Sequence, residues 1–113
     1  MDELVTRIAA NVGIDPAVAR KSVVIVLKFL ATEAPEKAGP LIDGLPGARE
    51  ALAGAPDVSG GIMGVFGALT GAGLGMGEVQ GVAREFGTYA RAKVGDEAVD
   101  SVVASVPGLG QFV

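Results

Sequence analysis

The 113-residue chain has no cysteine, no histidine and no tryptophan, and its aromatic side chains are one Tyr and four Phe. Each absence removes a class of chemistry. Without cysteine there are no disulfides, thiol nucleophiles or Cys-based metal and iron–sulfur sites, and the redox compartment is left open. Without histidine the chain lacks the commonest metal ligand and the side chain that titrates nearest neutrality, so Ser22, Ser59, Ser101 and Ser105 have no imidazole to activate them. We therefore expect no enzyme activity, no catalytic residue, no cofactor and no metal. Positive charge is also scarce: nine Lys and Arg stand against thirteen Asp and Glu, a formal charge of −4. The strong basic field that a nucleic-acid backbone requires is missing, so nucleic acid is not an expected partner. The first residues, "MDELVTRIAANVG", carry two acids where a secretory leader would carry basic residues before an apolar run, and a cytoplasmic location is expected.

What is present is small and aliphatic. Half of the residues are apolar, and the length suits one domain spanning 1–113 with a core of closely packed small side chains. Leu4, Val5, Ile8, Ala9 and Val12 recur at helical spacing, which predicts an amphipathic helix over 2–12 closed by Gly13. "GIDPAVAR" places Asp15 as a side-chain cap before Pro16 at the first helical position, predicting a helix over 15–34. The β-branched run "SVVIV" is compatible with a strand, but the length and the cap favour helix. Short helices are expected within 36–56, where Pro40, Pro46 and Gly47 interrupt two apolar turns. Val79, Val82, Ala83, Phe86 and Ala90 predict a helix over 77–93, and Asp96 is the expected cap of a last helix bearing Val99, Val102, Val103 and Val106. No strand is needed, so the expected class is all-α.

The two halves also resemble one another. At a shift of 61 residues, Glu36 falls on Glu97, Leu41–Ile42 on Val102–Val103, and Leu45–Pro46–Gly47 on Val106–Pro107–Gly108. At a shift of 60, Gly13 and Ile14 fall on Gly73 and Leu74. The expectation is two pseudo-equivalent units of three helices, residues 2–53 and 61–110, joined by a Gly/Pro link at 54–60, with the helices at 15–34 and 77–93 as the central pair.

"VGIDPAVARKSVVIVLKFLATEAPEKAGPLIDGLPGA" resembles the small bacterial proteins of the VcgC/VcgE type, in which an aliphatic framework closed by a Pro-Gly turn precedes a Gly-rich link and a second helical unit. The resemblance spans most of the chain through Gly, Pro and aliphatic positions. It implies an all-α fold, with no established activity, ligand or catalytic residue to carry over, and some members begin with an export signal that this sequence does not show.

"VSGGIMGVFGALTGAGLGMG", residues 58–77, is uncharged throughout and has glycine at eight positions. A phosphate loop is disfavoured, because the stretch has no Lys and runs into Glu78. A membrane span is suggested by length and by G-x-x-x-G spacing at Gly60/Gly64 and Gly67/Gly71. Against it stand the scarcity of large side chains and the acids Asp57 and Glu78 at the two ends. The favoured reading is a glycine-faced helix that packs closely on a neighbour, followed by a glycine turn at 71–77. The acids Glu36, Asp43, Asp96, Glu97 and Asp100 invite a Mg²⁺ or Ca²⁺ site, but capping and solvation account for them more simply.

Two functions remain. The first is a non-enzymatic protein that binds itself, as a homo-oligomer, or a partner protein; the expected interface is Ile25, Phe29, Pro107, Leu109 and Phe112. The alternative is a carrier or sensor of a small, lipid-like apolar ligand held between the two units. A cavity favours the second and an exposed apolar patch the first.

Overall fold

The computed structural model describes residues 2–55, 58 and 60–106, and among them every regular element is helical. Helix α1, Asp2–Ile8, continues into a wider π-helical stretch, Ala9–Gly13. Gly13, at φ 82°, turns the chain where a side chain would be strained. Helix α2, Pro16–Glu33, starts as the sequence predicts: the Asp15 carboxylate accepts from the Ala17 backbone N–H at 2.9 Å, and Pro16 gives up no hydrogen bond. The β-branched run lies wholly within this helix. Its one buried polar side chain, Ser22, donates to the Ala19 carbonyl at 2.6 Å.

Ala34 breaks the chain direction, and Pro35 then opens helix α3, Pro35–Asp43, which continues through Pro40. Helix α4 is a short piece, Ala48–Ala53, and helix α5 runs Gly61–Gly71. A turn at 72–75 leads to helix α6, Met76–Val94, and Gly95 leads to helix α7, Asp96–Ser105. Asp96 does not cap α7 as expected. Gly95, at φ 92°, occupies the cap position, and the Asp96 carboxylate faces back to Arg91. Besides Asp15, an acid that serves a helix start is Glu78 in α6, whose Oε1 accepts from the Gly75 N–H at 2.8 Å.

The helices form a compact globule with a radius of gyration of 12.4 Å. Helix α2 packs against α1, α3, α4, α5 and α6, while α6 packs against α1, α2, α3, α5 and α7. These two long helices therefore organise the core. Leu4 and Ile8 from α1, Val23 and Leu27 from α2, and Val82 and Ala90 from α6 are fully enclosed, and removing such apolar surface from water is the main force holding the globule together. Among the described residues, no single helix is long and apolar enough to cross a membrane; α5 and α6 meet that test only as a pair, bent by 112°.

Gly67 and Gly71 of α5 do not make the close approach that the sequence predicts. A methyl group added at Gly67 or Gly71 would meet nothing within 4 Å, because both lie on the outer face with Met63 and Thr70. Close approach occurs elsewhere. A methyl at Gly81 of α6 would sit 3.0 Å from Val12, and one at Gly44 would land on the Val94 side chain.

Candidate functional site

Among the polar side chains suggested as chemical groups, Ser22, Asp43, Asp96, Asp100 and Ser105 are engaged locally. Arg91 donates to Asp100 at 2.9 Å and lies 3.5 Å from Asp96, and these two carboxylates keep the guanidinium pKa above its ordinary value. Arg49 hydrogen-bonds Asp43 and holds its carboxyl below the usual range. Arg7 Nε donates to Glu85 Oε2 at 2.7 Å, and this bond, with help from Asn11, holds Glu85 low as well. Ser105 donates to the Ser101 carbonyl at 2.9 Å. Ser59 lies outside the described residues. Among the described residues, no three acidic side chains converge to hold a metal ion.

An open crevice beside the start of α6 is bordered by Asn11, Gly77, Arg84 and two acids, Glu78 and Glu85. Both carboxylates already serve the fold, one as a helix cap and the other as the partner of Arg7.

The feature that stands apart is an apolar cavity of about 60 Å³. Helix α2 contributes Val26, Phe29 and Leu30, and α3 contributes Leu41. The opposite wall comes from Ile62, Val65, Phe66 and Leu69 of α5, with Val79, Val82, Ala83, Phe86 and Gly87 of α6 and Val99, Val102 and Val103 of α7. Every lining residue is Val, Leu, Ile, Phe, Ala or Gly. The wall thus has no side-chain hydrogen-bonding group, and no buried side-chain polar atom of the described residues lacks a partner. Such a space suits hydrocarbon and rejects charge, because an unpaired polar group buried there loses its hydration without compensation.

Of the expected interface residues, Ile25 and Phe29 fall among the described ones. Phe29 is 1% exposed and forms part of the inner wall, so it does not present a surface. Ile25 is half-buried and packs on the core. Pro107, Leu109 and Phe112 lie outside the described residues. The sequence reading did not single out Ile62, Phe66 and Val103 as a site. Their only local signal is apolar spacing, which a cavity wall shares with a filled core.

No protein-family model, curated protein or solved structure matches this chain.

Proposed function

We propose that this chain is a non-enzymatic binding protein that takes an apolar group into the cavity between α2, α5, α6 and α7. The carrying observation is the composition of that wall: helices from both halves of the sequence meet around a space with no polar side chain. Cores ordinarily fill such space, since each unfilled volume forfeits packing energy.

The reading includes the duplication. Units 2–53 and 61–110 place α1, α2 and α3 opposite α5, α6 and α7. The shift of 61 carries Pro16–Glu33 onto 77–94, within a residue of α6, and 35–43 onto 96–104, within a residue of α7. The packing is reciprocal: α1 lies on α6 while α5 lies on α2, and α3 meets α7 between them. A cavity at the junction of two such units is a natural receptor, because it is enclosed by both and filled by neither.

The test is detergent-free purification followed by native mass spectrometry and methyl NMR with added apolar compounds. A co-purifying mass lost on denaturation, or shifts confined to the cavity methyls, supports the reading. A protein that carries no extra mass and responds to no apolar compound refutes it.

A second reading, self-association, draws on the outer face of α5 and the first residue of α6. Met63 and Met76, 73% and 64% exposed, are the exposed large hydrophobic side chains among the described residues, and they lie in the uncharged stretch 58–77. An acidic protein meets its own copy most easily where it has no charge. Met63→Glu is expected to shift a dimer to monomer in sedimentation; an unchanged sedimentation coefficient refutes this reading.

A further inference from the structure

We infer that the group taken into the cavity is the unbranched hydrocarbon end of an alkyl or acyl chain, entering methyl end first and leaving its polar end in solvent; this rests on the apolar-binding reading above. Three observations lead there. The wall has no side-chain donor or acceptor, so any polar part of a ligand stays outside.

The space also has a floor and a mouth. Leu30, Leu41, Val82 and Val102 are at most 2% exposed, whereas Val26, Ile62, Phe66, Ala83 and Val103 keep part of their surface in solvent. A ligand that reaches through this mouth is elongated, with an apolar end and a wetted end.

Size separates a chain from a ring. The cavity measures about 60 Å³, well below the roughly 150 Å³ of an engineered apolar cavity that accommodates benzene. A hydrocarbon one methylene thick enters a space that excludes an aromatic ring.

The test is a methyl-NMR titration of the whole protein with n-alkanols from butanol to decanol and with toluene. Affinity is expected to rise about fourfold per added methylene, the increment for burying one CH₂, and to level once the chain fills the site. Shifts fall on Val26, Ile62, Val82 and Val103, and toluene gives none. Ala83→Leu, which narrows the mouth, is expected to weaken alkanol binding at least tenfold while raising the thermal midpoint. Phe66→Ala, which enlarges the space, is expected to admit toluene.

Toluene binding to the unaltered protein without alkanol binding overturns the chain assignment and leaves the apolar-binding reading standing. Failure of both ligands to bind overturns the two together. Alkanol affinity unchanged by Ala83→Leu, with toluene still excluded by Phe66→Ala, overturns the location. Sodium decanoate and phosphatidylcholine vesicles, added as competitors of decanol, separate a free fatty acid from a membrane lipid as the source. Competition from either supports the chain class, and competition from neither overturns it.

Discussion

Helices α1 and α5 take comparable places, each laid across the long central helix of the other half, yet they are held in different ways. Helix α1 buries Leu4, Val5 and Ile8 and is also tied by charge: Asp2 to Arg20, Arg7 to Glu85, and Glu3 to Lys93 at 3.9 Å. Helix α5 has no charged side chain; it buries Val65 and Leu69, and Ile62 and Phe66 remain partly exposed over the cavity. The difference teaches that one position in a helical fold serves either as a clamp or as a soft wall. What decides is how completely the inward side chains meet partners, with charge pairs a minor addition.

The largest test of that contrast is truncation on each side. Ile8→Ala, at a site fully enclosed by the core, is expected to lower unfolding free energy by about 2–5 kcal/mol in denaturant titration. Ile62→Ala, beside the cavity and partly in solvent, is expected to cost less; an equal or larger loss would make α5 as tight a clamp as α1.

A smaller effect comes from the glycines. Gly67→Ala on the open face of α5 is expected to stabilise the protein by up to about 1 kcal/mol, because alanine favours helix and its methyl meets nothing. Gly81→Ala on α6 is expected to gain less or to lose, since the new methyl presses on Val12 at 3.0 Å. Thermal unfolding of the two variants side by side reads the difference; equal midpoints would contradict the close packing at Gly81.

The smallest effect belongs to the charges. Glu85→Gln is expected to cost less than about 1 kcal/mol, as the Arg7 pair is partly solvated. Because Arg7 lowers the Glu85 pKa in the folded protein, its contribution is complete above the ordinary glutamate value of 4.5 and is lost as pH falls below that through the lowered value. The stability difference between wild type and Glu85→Gln is therefore expected to shrink as pH falls from 7 towards 3. A constant difference across that range would remove the ion pair from the account.

Much of the fold was legible because its signals are local. The Asp15–Pro16 start, the apolar spacing of α6 and the stop at Gly13 each depend on a few neighbouring residues, and the helices lie within a residue or two of where those signals put them. Asp96 misled because an acid at a first turn reads as a cap, while Arg91, one turn earlier in space, offers its carboxylate a full charge. The candidate site was legible only as composition. Phe29 is an apolar residue on an apolar helix, and nothing in its neighbours distinguishes an outward interface from an inward wall.

By itself, then, the sequence determined that the chain is helical and where most helices begin and end, and it removed thiol and imidazole chemistry altogether, because propensity, capping and residue type act over one or two turns. Only the tertiary structure decided that Gly67 and Gly71 of α5 face outward, that glycine permits close contact at Gly81 and Gly44, and that Phe29, Phe66 and Phe86 line one space. Those outcomes depend on which faces of distant helices meet, and on how well small side chains fill the gap between them.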